Sequence, residues 1–151
     1  MTRFASHMQA ALAEARAAAA RDETPVGAVI IDPATGEILA AAGNRTRELN
    51  DPTAHAEVLA IRAACAALGA ERLTGLDLHV TLEPCAMCAG AISFARIRRL
   101  YYAAPDPKGG AVDSGGRFFA QATCHHAPEV YGGIGEAEAA ALLRDFFAAR
   151  R

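Results

Sequence analysis

The sequence has no tryptophan, only 6% aromatic residues, four cysteines in 151 positions and no excess of positive charge. It also lacks any run long and apolar enough to span a bilayer, so no membrane helix and no membrane partner is expected. Residues 1–10 lack the apolar centre of a secretory signal, and the expectation is a cytoplasmic protein. In that compartment the cysteines stay reduced, and metal binding or core packing outranks disulfide formation. A formal net charge of −2 and a pI near 6.2 do not advertise nucleic-acid binding. They do not exclude it, because phosphate contact needs only local positive charge. Local clusters stand at Arg96/Arg98/Arg99 and Arg144/Arg150/Arg151, with Arg45 and Arg47 nearer the middle. No internal repeat or low-complexity linker interrupts the chain. Its length and 52% hydrophobic content fit one domain over 1–151 with a single substantial core.

What is present alternates between two periods. Phe4, Met8, Ala11, Leu12 and Ala15 fall at helical spacing, and Asp22-Glu23-Thr24-Pro25 ends that helix. The apolar run 26–31, the turn 32–36 and the segment 37–42 read as a hairpin. A second helix is expected to open at Asp51 or Thr53, with Val58, Ile61, Cys65 and Leu68 on one face and Gly69 as its stop. A strand at 76–82 follows. Pro84 suits the first position of a third helix running to about residue 95, which is apolar nearly all round and is expected to be buried. Further strands are expected at 98–103 and 128–134. An amphipathic helix at 136–149 directs Leu142, Leu143, Phe146 and Phe147 inward or toward an interface. This order predicts an α/β fold with a partly parallel sheet covered by helices on both faces. The segment 104–127 is polar and Gly-rich, and a loop of that length in a compact domain is usually functional.

The chemistry concentrates in two short strings, Thr53-Ala54-His55-Ala56-Glu57 and Thr81-Leu82-Glu83-Pro84-Cys85-Ala86-Met87-Cys88. Cys85 and Cys88 lie three apart at a helix start, hence on one face and near the positive end of the helix, which favours thiolates. His55 and Glu57 point in nearly opposite directions if both are helical. They serve one site only if it lies just beyond the helix start, so two helix N-termini should face each other across a metal. One imidazole and two thiolates suit zinc, and three protein ligands with a fourth position open is the catalytic arrangement. Zinc lowers the pKa of water toward 7, and Glu57 is placed to move the proton. Alone, His-x-Glu is a weak signal, and Cys-x-x-Cys also fits a redox pair or half a structural zinc site. Together, with Pro84 before the first cysteine and 30 positions between His55 and Cys85, they match the recorded zinc deaminase signature. Cys65 reads as core. Cys124-His125-His126 reads as a loop anchor more readily than as a second metal half-site. His7 and His79 read as satisfied or solvated histidines.

Beyond the zinc strings, the sequence resembles the bacterial tRNA-specific adenosine deaminases of the cytidine deaminase-like superfamily almost end to end. The resemblance is carried by Pro25-Val26-Gly27-Ala28-Val29, Gly43-Asn44-Arg45, the zinc strings extended to Asp51–Glu57 and Thr81–Ile92, Ala95-Arg96-Ile97-Arg98-Arg99, Asp106-Pro107-Lys108-Gly109-Gly110 and Asp145-Phe146-Phe147. It implies a three-layer α-β-α fold with a central mixed five-stranded sheet. It implies hydrolytic conversion of a wobble adenosine in a tRNA anticodon stem-loop to inosine by a zinc-activated water, in a homodimer with one zinc per subunit and no organic cofactor. By the same resemblance Asn44 hydrogen-bonds the target base, Val26 lines its pocket with Ala56 and Pro84, Asp106 and Lys108 touch neighbouring nucleotides, and Phe147 lies near flipped-out bases. On local pattern alone Asn44 reads equally as a turn residue, one of Phe146 and Phe147 as core, and Arg96, Arg98 and Arg99 as a solvated face. The segment Ser114-Gly115-Gly116-Arg117-Phe118-Phe119 departs from the commonest form of the loop. Three alternatives stay open: a deaminase of a free base or nucleoside of the guanine or cytosine type, a non-catalytic zinc-stabilised RNA-binding module, and a redox protein using Cys85 and Cys88.

Overall fold

A computed structural model describes residues 3–150, with side chains from His7 onward. The side chain of Phe4 and all of Arg151, both invoked above, lie outside the described residues. The elements run α1 Arg3–Ala20, β1 Gly27–Asp32, β2 Glu37–Gly43, α2 Ala56–Leu68, β3 Asp77–Leu82, α3 Ala86–Ala95, β4 Arg99–Ala104, β5 Glu129–Gly132 and α4 Glu136–Ala148, with a short 3₁₀ turn at Phe118–Ala120. The five strands form one mixed sheet in the order β2-β1-β3-β4-β5. The β1 strand is antiparallel to both β2 and β3, whereas β3, β4 and β5 run parallel.

The two-residue period of the central strands sorts side chains into two cores. Ala28, Ile30, Leu78, Val80, Leu100 and Tyr102 pack against α2 and α3. Val29, Ile31, Tyr101 and Ala103 pack against α1 and α4. Strands covered on both faces carry continuous apolar runs, which is why Ala28-Val29-Ile30-Ile31 shows no polar alternation. The expected three layers and mixed five-stranded sheet are therefore present.

Several expectations need correction. α2 begins at Ala56, not at Asp51 or Thr53. The Asp51 carboxylate instead accepts from the Thr53 amide (2.9 Å) and hydroxyl (2.7 Å), and this turn keeps the chain non-helical through His55. The α3 helix begins at Ala86, with Pro84 outside it and the Pro84 carbonyl taken by the Ala111 amide at 2.9 Å. The most buried stripe of α2 is Ala56, Ala60 and Ala64 together with Glu57, because small side chains let the helix sit close to the sheet. Ile61 and Cys65 only flank that core, and Leu68 is exposed. Nor is α3 buried all round. Cys88, Ala89, Ile92, Ser93 and Ala95 face inward, while Phe94 is 68% exposed. His79 is neither solvated nor fully satisfied: it is buried, stacked on Tyr101 at 4.4 Å, and its Nδ1 has no hydrogen-bond partner. Burial and the neighbouring His7 push its pKa down to about 3, so it stays neutral.

Gly27 sets how closely α1 approaches the sheet. A Cβ there would lie 2.0 Å from the Ala11 carbonyl oxygen and 2.6 Å from the Ala15 amide nitrogen. Gly27→Ala is expected to destabilise the fold by roughly 3 kcal/mol, the upper end for overpacking. Denaturant unfolding checks this, and a stability equal to the parent's would contradict it.

Candidate functional site

Two helix starts converge on one point. His55 is the N-cap of α2 (φ −74°, ψ 152°) and Cys85 the N-cap of α3 (φ −74°, ψ 178°), both in extended backbone. Cys88 follows in the first turn of α3. The His55 Nδ1 atom lies 3.7 Å from Cys85 Sγ and 3.5 Å from Cys88 Sγ. All three potential ligand atoms fall within 4.8 Å of one another. Tetrahedral zinc with ordinary Zn–S and Zn–N bonds requires ligand separations of roughly 3.5–3.8 Å. The donor set fits zinc in chemistry and in spacing, and it is the only cluster of three or more His, Cys, Asp or Glu ligands among the described residues. Because His55 caps α2, the expected conflict between His55 and Glu57 around one helix does not arise.

The charges are prepared for a cation. Hydrogen bonds from Cys88 and His55 bring the Cys85 thiol down to about 4. Cys88 is pushed up, because it donates to Cys85 and is buried. His55 is raised by its hydrogen bond to Cys85. Thiol and imidazole ligands release their protons when they take a divalent cation. Glu57, in the first turn of α2, is buried, and burial raises its carboxyl above the ordinary value. A carboxyl tuned upward by burial suits proton transfer near neutral pH.

Beside the ligands lies a cleft of about 260 Å³ lined by Thr24, Val26, Asn44, Thr46, His55, Glu57, Leu82, Glu83, Cys85, Asp106 and Gly109. That is below the usual range for drug-sized ligands and suits one planar base. Of the residues singled out in the sequence, Val26, Asn44, His55, Glu57, Cys85 and Asp106 line it. Cys88 is buried behind it. Ala56 and Pro84 are buried next to the ligands and do not line the cleft. Lys108 is exposed on the neighbouring loop. Phe147 is 48% exposed and borders a separate depression with Leu143, Arg144 and Ala148. Phe146 is the partner that packs inward, with the Arg150 guanidinium 3.4 Å above its ring. Arg150 also bonds Asp22, which receives Arg47 at 2.8 Å, so the end of α4 is tied to the loop after Asn44.

Asn44 follows β2 and also lines the cleft. Its amide bonds the Val26 carbonyl at 3.1 Å, and its side chain donates to Thr46 Oγ1 at 3.4 Å from the wall of the cleft. The arginine cluster is engaged elsewhere. Arg98 makes two bonds to Asp77 (2.9 and 2.8 Å), Arg99 bonds Glu129 at 2.7 Å, and Arg96 bonds the Ser93 carbonyl at 3.0 Å. These residues precede or open β4, at the end of the sheet opposite Leu82 and Asp106. His126 bonds Ser93 Oγ through its amide (3.1 Å) and the Ile97 carbonyl through Nε2 (2.7 Å), and Cys124 donates to the His126 carbonyl. The Cys124-His125-His126 segment is a loop anchor.

Sequence reasoning gave no role to Glu83. Its buried carboxylate accepts hydrogen bonds from the amides of Asp106, Val112, Asp113 and Ser114 and from the Ser114 hydroxyl. Burial works against its charge, but these donors hold its carboxyl below the ordinary value. The signal available in the sequence was an acidic residue between a buried strand end and a proline, with glycine pairs at 109–110 and 115–116 downstream.

The chain matches the family model described as the cytidine and deoxycytidylate deaminase zinc-binding region over residues 1–104. It is 66% identical over 144 residues to a tRNA-specific adenosine deaminase of Agrobacterium fabrum, covering 95% of this chain and 93% of that one. A solved structure from a study of A-to-I editing by tRNA:A34 deaminases at the wobble position superposes with a TM-score of 0.89 at 66% identity, covering 91% of this chain and 99% of that one. A guanine deaminase from Nitrosomonas europaea superposes with a TM-score of 0.83 at 27% identity, covering 95% and 84%.

The ligand geometry predicts about one zinc per chain after purification. Cys85→Ala is expected to lower that content to near zero while leaving the helical content unchanged. Elemental analysis with circular dichroism checks this, and full zinc content in the variant would remove Cys85 from the ligand set.

Proposed function

The chain belongs to the cytidine and deoxycytidylate deaminase zinc-binding family, and on that premise we propose that it is the hydrolytic enzyme that converts the wobble adenosine of a tRNA to inosine. The observation that carries the reading is the meeting of His55, Cys85 and Glu57 with Asn44 in one base-sized cleft, in a chain two-thirds identical to a tRNA adenosine deaminase.

His55, Cys85 and Cys88 would hold the zinc. When bound there, zinc supplies an acidified water for attack on the purine ring. Glu57 takes up a proton on its buried carboxylate and delivers it to the substrate, so that the amine departs as ammonia. Burial raises its carboxyl above the ordinary value, in the direction that suits proton transfer. Asn44 offers both a donor and an acceptor to a base edge. Val26 and Leu82 supply apolar walls. Ala56 and Pro84 act through the backbone they fix beside the ligands. The cleft admits a base but not a duplex, so the adenosine must leave its stack, and an anticodon loop is where that is least costly. The Asp106–Gly109 wall and Lys108 stand beside the cleft where flanking nucleotides of an anticodon stem-loop would lie. Phe147 offers an exposed ring for stacking, worth about 1–3 kcal/mol per base.

The exposed Phe94 ring supports a homodimer through α2 and α3. It borders a depression with the half-buried Val58, Ile61 and Ala91 and the charged Arg62, Glu71, Arg72 and Arg96. A ring as exposed as Phe94 marks an interaction site when apolar neighbours surround it. Among the described residues no helix is long and apolar enough to cross a membrane. A tRNA substrate accords with the cytoplasm.

The likeness to a guanine deaminase supports a second reading, turnover of a free base in the same cleft. Incubation with an adenosine-34 anticodon stem-loop and, separately, with guanine discriminates the two. Inosine at the wobble position is expected. No inosine alongside brisk guanine turnover would replace the tRNA reading with the free-base one. Glu57→Gln is expected to keep zinc and RNA binding while turnover falls about 10²–10⁴-fold. Retained turnover would exclude Glu57 as the proton carrier. Phe94→Asp is expected to shift sedimentation from dimer to monomer, and an unchanged dimer would place the interface elsewhere.

A further inference from the structure

The Glu83 carboxylate sits where β3 ends, two residues before Cys85. Its oxygens divide the loop between them. Oε1 receives the Asp106 amide (2.9 Å) and the Ser114 hydroxyl (2.9 Å). Oε2 receives the amides of Val112 (3.1 Å), Asp113 (2.9 Å) and Ser114 (2.9 Å). Two backbone bonds clamp the same short segment: Glu83 N–H to the Ala104 carbonyl (2.8 Å) and Ala111 N–H to the Pro84 carbonyl (2.9 Å). The loop closes on the carboxylate so tightly that a Cβ on Gly110 would lie 2.5 Å from Glu83 Cδ. Asp106, fixed in this way, accepts the amides of Lys108 (3.2 Å) and Gly109 (3.0 Å) on its own carboxylate. Asp106 and Gly109 then form one wall of the cleft.

This arrangement has a consequence for recognition. The segment that delivers the metal ligand Cys85 also carries the anchor of the loop. Loop and ligand are therefore set in register by covalent neighbours, not by packing between distant elements. Glutamine cannot substitute for the glutamate. Whichever way its amide turns, an NH₂ group faces donors on one side and leaves a buried amide unpaired.

We infer that Glu83 is a positioning residue that sets the 105–116 loop as a substrate-reading wall, and that it governs how RNA flanking the target adenosine is bound, with no part in the chemical step. The inference rests on the tRNA reading above. It predicts a rise in KM rather than a fall in kcat, and a rise that absorbs the contribution of Lys108, which the loop carries.

The experiment compares the full-length zinc-loaded protein with Glu83→Gln, Lys108→Ala and the double variant on an adenosine-34 stem-loop, with hydrogen exchange followed over 105–116. Inosine formation by the parent is read first, and its absence removes the tRNA reading while the exchange data still judge the anchor. For Glu83→Gln, faster exchange at 112–114, parental zinc content, kcat within about threefold and KM raised about tenfold or more are expected. Lys108→Ala is expected to raise KM in the parent and to add nothing in the Glu83→Gln background. Gly110→Ala keeps the carboxylate but forces the loop off it, and should reproduce the KM rise even where Glu83→Gln folds poorly. Unchanged exchange, a fall in kcat at constant KM, additive effects of Glu83 and Lys108, or a parental KM for Gly110→Ala would each overturn the inference.

Discussion

The meeting of two helix N-termini is the constraint from which the rest of the site follows. His55 and Cys85 are both N-cap residues with extended backbone, so each side chain projects beyond its helix toward the same point. The positive ends of α2 and α3 favour the thiolates there, and Cys85 is brought down to about 4 by its neighbours. The alanine stripe Ala56/Ala60/Ala64 seats α2 on the sheet, and Ala89 and Ile92 do the same for α3. The sheet holds the two helices side by side, which brings a ligand set 30 residues apart in sequence to within bonding range of one ion. Glu57 lies in the first turn of α2, so its place in the cleft beside His55 costs no further device.

Around that centre, the walls of the cleft depend on buried carboxylates. Glu83 holds the loop that carries Asp106 and Gly109. On the opposite wall Glu23, also buried, accepts the amides of Arg47 (3.2 Å) and Glu48 (2.8 Å) and so shapes the turn after Asn44 and Thr46. Amide donors converging on an ionised acceptor make strong hydrogen bonds, and inside a protein they fix a loop as firmly as regular secondary structure does. Irregular backbone can then present substrate contacts without the mobility expected of a long Gly-rich segment.

Much of this was legible in the sequence. Apolar runs, turn signals and the 3.6-residue period located the five strands and four α-helices, and the clustering of His55, Cys85 and Cys88 could be read from spacing and residue chemistry. The errors came at helix starts. Propensity and the proline rule put the openings at Asp51 or Thr53 and at Pro84, but the Asp51–Thr53 turn and the Ala111–Pro84 bond withhold those residues from the helices. The burial of α3 was overread because an apolar residue such as Phe94 looks the same in sequence whether it faces a core or solvent. Arg98 and Arg99 looked available to phosphate, but their pairing with Asp77 and Glu129 depends on strand register across the sheet. Glu83 escaped notice because all five of its partners are backbone or hydroxyl donors in a loop with no periodicity.

Hydrolysis of the exocyclic amine of one adenosine in a tRNA anticodon is the reaction on which the reading of the cleft stands or falls. Turnover of an adenosine-34 stem-loop in ¹⁸O-labelled water, followed by mass spectrometry of the digested RNA, tests it most directly. Inosine is expected at position 34 alone, carrying one solvent-derived ¹⁸O on the purine ring. Inosine without the label, or label distributed over other adenosines of the loop, would contradict it.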